Sequence, residues 1–336
     1  MSALSTVALF RHLPRLDTRV PWAVLGDWPT PIVSVEVDGR PLWIKREGDS
    51  SARYGGNKIR TLEPWLGRAR AEGRRIWAIG AHGSNHAIAT VVHARAIGVP
   101  AGVMIFPQPH SEWADENLHD LAASGCKLMR LPHIAVMPFA AIATALRDRD
   151  SIVMPPGGAT PLGAFGAISA ALELAEQVAA GIAPAPRRVV VPIGSTCTTA
   201  GLVAGFALGH ALGVWRWAIP IVHAVRVTPW PVTSRVRTAE LAVRALELVA
   251  SFGGPRVHVG LPELVRRLVV DGRELGGGYG RITPAAAAAT AELGVLPNVP
   301  RLDGVYSAKA AAALLRLHRE HVAPLLFWAT KGTLAR

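Results

Sequence analysis

The stretch Tyr54-Gly55-Gly56-Asn57-Lys58-Ile59-Arg60 decides the reading of this chain. Lys58 is one of only five lysines, against thirty-one arginines. Both residue types supply positive charge, but only lysine has a primary amine that can lose its proton and form a Schiff base. A lysine kept where arginine is the default therefore points to amine chemistry. The two glycines before it permit a sharp backbone turn and leave room for a planar ring to come close. Taken alone, the heptapeptide also fits a plain glycine turn opening a helix with an exposed lysine. The rest of the chain has to separate the two.

With 336 residues, half of them hydrophobic, the chain is long enough for two domains with cores of their own. No uninterrupted apolar run reaches the roughly 18 residues of a membrane span. Residues 1–17 lack a short apolar core followed by a small-residue cleavage site, so a cytoplasmic protein is expected. Cys126 and Cys197 are the only cysteines, which makes neither a disulfide framework nor a CxxC metal spacing. The net charge of +12 raises the question of nucleic acid. The arginines are scattered in pairs such as Arg74-Arg75 and Arg187-Arg188, however, with no basic run interleaved with aromatics, so no nucleic-acid partner is expected.

Along the chain, short β-rich runs alternate with longer alanine- and leucine-rich periodic segments. The pattern predicts strands at 75–79, 101–106, 127–131, 151–154, 188–193, 217–227 and 325–328. It predicts helices at 85–97, 112–123, 140–147, 162–179, 199–212, 234–251, 284–293 and 307–320. This β-α-β order implies an α/β fold of open, twisted parallel sheets with helices on both faces. Ligands gather at the C-terminal ends of such strands. The informative segments are therefore 80–86, 155–160, 194–198 and whatever follows 328.

Two of these segments share one design. Gly80-Ala81-His82-Gly83-Ser84-Asn85-His86 and Gly194-Ser195-Thr196-Cys197-Thr198-Thr199-Ala200-Gly201 each follow a strand and open a helix. Hydroxyls, an amide and free N–H groups at a positive helix end suit an anion, although each segment alone also fits an ordinary cap. His82 and His86 are four residues apart, but Gly83 stands where an HExxH zinc motif needs glutamate, so no metal is expected. Neither a P-loop nor a GxGxxG after a strand occurs. A phosphate site without nucleotide motifs, together with a lone amine-bearing lysine, points to pyridoxal 5'-phosphate. All three tyrosines, Tyr54, Tyr279 and Tyr306, lie in glycine-rich loops or at a helix start. Phenols so placed can act as acid, base or hydrogen-bond donor.

These segments resemble, in order, the pyridoxal-phosphate enzymes of the ACC deaminase/D-cysteine desulfhydrase family, where ACC is 1-aminocyclopropane-1-carboxylate. The likeness runs from Lys45-Arg46-Glu47 through Gly55–Glu63, Gly83–His86 and Pro156–Ala164. It continues through Gly194–Gly201, Gly278-Tyr279-Gly280 and Leu302–Lys309. The resemblance implies a two-domain protein of fold type II, with a large domain of residues 1–55 and 160–336 and a small domain of residues 56–159. It implies a homodimer acting on a small amino acid. It also implies that Lys58 carries the cofactor and moves the α-proton, and that Asn85 bonds the cofactor's phenolic oxygen. Gly194, Ser195, Thr196, Cys197 and Thr198 would hold its phosphate, and Ser307 would sit against its pyridine nitrogen. Ser84 would face the substrate carboxylate or assist proton transfer, with Tyr279 and Tyr306 on the substrate side and His86 and Thr330 beside the substrate.

Three positions choose within the family. ACC deaminases carry a glutamate where Ser307 stands, which keeps the pyridine nitrogen protonated and the ring a strong electron sink. Ser307, His86 and Thr330 are similar instead to D-cysteine desulfhydrases. The expected reaction is β-elimination from D-cysteine, with ACC deamination as the alternative. A diverged non-catalytic or nucleic-acid-binding protein on the same scaffold is the alternative of another class. The chain also departs from the family pattern. Thr196 and Cys197 replace glycines of the phosphate loop, Gly304 replaces a proline, and Ala329-Thr330-Lys331-Gly332 replaces His-Thr-Gly-Gly.

Overall fold

The computed structural model describes residues 3–334. After a short helix α1 (Ala8–His12) come strands β1 (Ile32–Val37), β2 (Arg40–Arg46) and β3 (Tyr54–Gly56). Then follow α2 (Lys58–Ala71), β4 (Arg75–Ala81), α3 (Asn85–Ala96), β5 (Ala101–Phe106), α4 (Glu112–Ala123), β6 (Lys127–Arg130), α5 (Met137–Arg147) and β7 (Ser151–Val153). The second half runs α6 (Phe165–Ala179), β8 (Arg188–Ile193), α7 (Cys197–Ala211), β9 (Ile221–Arg226), α8 (Arg235–Ser251), α9 (Leu261–Arg266) and β10 (Leu268–Asp271). It ends with α10 (Pro284–Gly294), α11 (Ser307–Arg319), β11 (Leu325–Ala329) and β12 (Lys331–Leu334).

Two main sheets result. The four-stranded sheet β6-β5-β4-β7 is parallel throughout and drawn wholly from residues 75–153. The six-stranded sheet β1-β2-β11-β8-β9-β10 draws on both ends of the chain. The expected parallel α/β architecture is present, with two antiparallel exceptions. β1 and β2 form a hairpin closed by Asp38-Gly39, whose φ angles of 49° and 68° suit a two-residue turn with both central residues left-handed. β3 pairs antiparallel with β12, which brings Lys331 beside Gly56.

The predicted elements recur with shifted ends. α7 begins at Cys197 rather than 199, so Cys197 and Thr198 belong to its first turn. β9 begins at Ile221 rather than 217. The first turns of α3, α4, α8 and α10 are capped by the side chains of Ser84, Ser111, Ser234 and Thr283.

β11 illustrates how the larger sheet is held. Successive residues point to opposite faces, and Phe327 and Trp328 are both fully buried, one in each of the two cores flanking the sheet. Each such burial contributes roughly 1.5–3 kcal/mol. Gly55 shows a use of glycine different from the one its sequence context suggests. A Cβ there would lie 1.7 Å from the Gly48 carbonyl oxygen, so its bareness admits the chain's own backbone. Gly56, at φ +118°, supplies the sharp turn.

One charged cluster ties α2, β2 and α6 together. Arg60 grips Glu47 in bidentate fashion, from Nε at 2.7 Å and Nη2 at 2.8 Å. It also donates to Glu173 from Nη1 at 3.1 Å and Nη2 at 2.9 Å. Lys45 Nζ donates to Glu173 Oε1 at 2.6 Å and to Gln177 Oε1 at 2.7 Å. Two cations and two carboxylates cancel, and all four residues are at most 3% exposed. Burial would raise Glu173, but Arg60 and Lys45 outweigh it and hold the carboxyl down to about 2. Its stabilisation is therefore present above the ordinary glutamate range and is lost as pH falls toward 2.

Glu173→Ala leaves two buried cations short of a partner and is expected to cost about 3–5 kcal/mol in urea unfolding at pH 7. A loss under 1 kcal/mol would show that the cluster does not hold α2 to α6.

Candidate active site

The four informative segments converge on one cavity of about 490 Å³ between the two main sheets. It is lined by Gly80, Ser84, Asn85 and His86, by Pro155–Gly157, by Gly194–Thr199, and by Thr330, with Lys58, Tyr279 and Tyr306 beside them. No carboxylate is among its lining residues.

Lys58 is the first residue of α2 and keeps partial exposure to this space. Its amine makes no hydrogen bond or ion pair among the described residues. Burial lowers its pKa below the ordinary lysine range, against a smaller opposing effect of Cys197. The neighbouring Asn57 fixes the start of α2 from two sides. Its N–H donates to the Thr330 carbonyl at 3.1 Å, and its side-chain amide donates to Thr198 Oγ1 at 2.8 Å.

The segment 194–199 lines one end of the cavity. Thr196 adopts φ +73°, the left-handed region that the glycine of related loops would enter freely. The packed fold therefore imposes on a β-branched residue a turn that its own preference disfavours. The N–H groups of the first turn of α7 then face the cavity end of the loop. Thr199 Oγ1 is buried without a hydrogen-bond partner among the described residues. Gly157 lies against this loop at φ +67°, where a Cβ would come within 2.1 Å of Ser195 Oγ. Cys197 Sγ lies 3.6 Å from the Gly158 carbonyl, and burial pushes its thiol up, against the smaller opposing effects of Thr61 and Lys58.

Asn85 is oriented by three donors. Its Oδ1 accepts from Tyr54 OH at 2.9 Å, Asn117 Nδ2 at 3.1 Å and Lys331 Nζ at 2.6 Å. With the oxygen saturated, Nδ2 is the atom left for the cavity. Ser84 Oγ caps α3 by accepting from the Ala87 N–H. His86 is 3% exposed and neither ring nitrogen has a partner among the described residues. Burial, aided by Lys58, drops its pKa to about 3, so the ring is neutral. On the opposite wall the hydroxyls of Tyr279 and Tyr306 lie 2.8 Å apart, with the rings edge to face. Burial raises both phenols above their usual range.

Ser307 stands apart from the other expected residues. It follows Tyr306 directly and is 1% exposed, but it does not line the cavity. Its Oγ donates to Asp303 Oδ2 at 2.7 Å, within the turn that caps α11. Thr330 does line the cavity, next to Lys331.

A free amine, an anion cradle with a spare hydroxyl, an amide donor and a wall without carboxylates together fit an aldehyde-bearing, phosphorylated ring. The chain matches the model of the pyridoxal-phosphate dependent enzymes over residues 24–324. It belongs to that family. Within it, the chain is 36% identical over 308 residues to nocardicin C-9' epimerase of Nocardia uniformis subsp. tsuyamanensis, covering 88% of this chain and 89% of that one. It is 30% identical over 313 residues to D-cysteine desulfhydrase of Salmonella paratyphi C, covering 89% and 88%. The solved structure of an ACC deaminase homologue superposes with a TM-score of 0.76 at 27% identity, covering 100% of this chain and 96% of that one. The enzyme is thus a pyridoxal-phosphate enzyme of the ACC deaminase/D-cysteine desulfhydrase group, of fold type II.

Sequence reasoning missed Lys331 as a site residue of this family member. It noted only that lysine stands where related chains have glycine. In the structure Lys331 is 6% exposed, and its ammonium lies 5.6 Å from the centre of the Tyr54 ring. Burial lowers its pKa, opposed by Asp303 and Glu116. The signal was present in the sequence, since a lysine two residues past the last core strand is as unusual here as Lys58.

Lys331→Met removes one of the three donors that hold Asn85. Cofactor affinity, followed by absorbance titration of apoenzyme, is expected to fall about tenfold. Unchanged affinity would show that Tyr54 and Asn117 suffice.

Proposed function

We propose that the enzyme removes the α-proton of a D-amino acid and expels its β substituent, releasing pyruvate, ammonia and sulfide when the substrate is D-cysteine. The observation that carries this reading is an unpartnered amine and a hydrogen-bonded phenol pair on one cavity. Pyridoxal phosphate, when bound, supplies the electron sink for the charge left at Cα.

Each remaining role falls to a side chain of this protein. Lys58, whose buried amine loses its proton more readily than an exposed lysine, binds the cofactor and takes the α-proton. Ser195–Thr198 and the N–H groups of α7 hold the phosphate. Asn85 Nδ2 donates to the ring oxygen. Ser84, at the N-terminus of α3, meets the substrate carboxylate. The raised Tyr279–Tyr306 pair keeps its protons across neutral pH and delivers one to the departing sulfur. The lack of a carboxylate on the lining supports elimination over cyclopropane opening, because the pyridine nitrogen has no acid partner there. A homodimer in the cytoplasm completes the reading, on the family resemblance.

Epimerisation is the second reading, favoured by the 36% identity to an epimerase. It shares the first step and returns the proton to the other face of Cα, with no bond to Cβ broken.

Incubation with D-cysteine in heavy water separates the two. Elimination yields pyruvate and sulfide, whereas epimerisation yields deuterated L-cysteine without pyruvate. Faster consumption of ACC than of D-cysteine would overturn the assignment. Lys58→Ala is expected to abolish turnover with the fold retained, and substantial activity in Lys58→Arg would remove Lys58 from its role. Tyr279→Phe and Tyr306→Phe are each expected to lower kcat about a hundredfold. Exchange of the α-proton should persist in both, and its loss would move the tyrosines to the first step.

A further inference from the structure

The cavity has two unlike halves. Its floor is polar and occupied by the groups assigned above. Its mouth is apolar on both lips. From one side come Phe106 at the end of β5, Ile134 and Met137; from the other come Pro229, Val232 and Arg237. Ile134 is 49% exposed and Val232 39% exposed, so these are solvent-facing apolar groups at an open entrance. Contiguous exposed apolar surface rimmed by polar groups marks a binding groove.

Arg237 is the only charged group on the outer half. It lies in the first turn of α8 together with Arg235, and that turn holds no acidic residue. Cations at a helix N-terminus oppose the helix dipole, so local stability gives no reason for the placement. The Arg237 guanidinium has no ion pair or hydrogen bond among the described residues, and an anion brought to it meets both the guanidinium and the positive end of α8.

We infer that the mouth of the cavity is a subsite for the substrate's β substituent, and that this substituent is a bulky apolar group ending in an anion. The inference rests on the elimination reading and names its substrate class: a D-cysteine carrying on sulfur an aryl or long alkyl group with a terminal carboxylate. An aromatic substituent at this mouth has Phe106 and the Met137 thioether for ring–ring and sulfur–ring contacts. The terminal carboxylate then lies at Arg237. The Cα–H pair stays at Cα while Lys58 takes the proton, and the Cβ–S bond breaks with its pair on sulfur. The tyrosine pair protonates that sulfur to a thiol. The 2-aminoacrylate left takes up one water to give pyruvate and ammonium, with no change of oxidation state overall.

The test compares S-(4-carboxyphenyl)-D-cysteine, S-phenyl-D-cysteine and D-cysteine on the holoenzyme, reading pyruvate and, for the aryl compounds, the absorbance of the released thiol. The carboxyphenyl compound is expected to have the highest kcat/KM, about fivefold above the phenyl compound. Arg237→Gln is expected to bring that ratio close to one. Calorimetry with 3-(4-carboxyphenylsulfanyl)propanoate, which lacks the amine and cannot react, gives a second readout: Arg237→Gln weakens its binding by a similar factor. Pyruvate from D-cysteine with no gain from the aryl group, or a ratio untouched by Arg237→Gln, overturns this inference and leaves the elimination reading standing. No pyruvate from any of the three, with the inert analogue bound through Arg237, overturns the elimination reading and keeps the subsite.

Discussion

The grip of Arg60 on Glu47 and Glu173 is the constraint on which the site depends. Arg60 is two residues past Lys58, in the first turn of α2. Its two carboxylate partners come from the turn after β2 and from α6, so a single guanidinium fixes where α2 starts relative to the larger sheet. Trp28 closes the cluster on one side, its ring 3.8 Å from the guanidinium carbon. A neutral, fully bonded cluster is stable in the interior where a single uncompensated charge would not be. Lys58 inherits that rigidity and needs no partner of its own to stay in place.

The same logic recurs around the cavity at lower cost. Asn57 reaches from the start of α2 to Thr198 in the first turn of α7 and to the residue after β11. Asn85 is held by Tyr54 from β3, Asn117 from α4 and Lys331 from β12. Asp303 organises the turn bearing Tyr306 through the N–H groups of Val305 and Tyr306. In each case a polar side chain ties its own element down: Asn57 donates to two acceptors, while Asn85 and Asp303 accept from several donors. The groups that face the cavity are those left over: the Lys58 amine, the imidazole of His86 and the hydroxyl of Thr199.

Periodicity made the α/β architecture legible, because long alternating segments bury one face and leave little choice of partner. The site segments were legible because strand ends, glycines and hydroxyls coincide there. What escaped was short or long-range. The hairpin of β1 and β2 went unpredicted although it was legible: Asp38-Gly39 is a strong turn signal, and β1 alternates exposed Ser34 and Glu36 with buried Val35 and Val37. β3 and β12 are strands only because they pair with each other across the chain. The left-handed turn at Thr196 has no local cause at all, and Ser307's engagement with Asp303 depends on a turn geometry that residue types alone do not dictate. The arginine at the cavity mouth reads, in sequence, as one more surface charge.

The cluster around Arg60 also has a consequence for synthesis. Lys45, Glu47, Lys58 and Arg60 leave the ribosome early, but Glu173 lies 113 residues beyond Arg60 and 128 beyond Lys45. A nascent chain that ends before α6 carries the amine and the complete four-stranded sheet, yet holds two cations against one carboxylate at the base of α2. Over that interval α2 lacks the Glu173 half of its anchor. Order in the chain thus acts as a timer: the Lys58 amine is made first, and the anchor of its helix is completed only after more than half of the protein has been made.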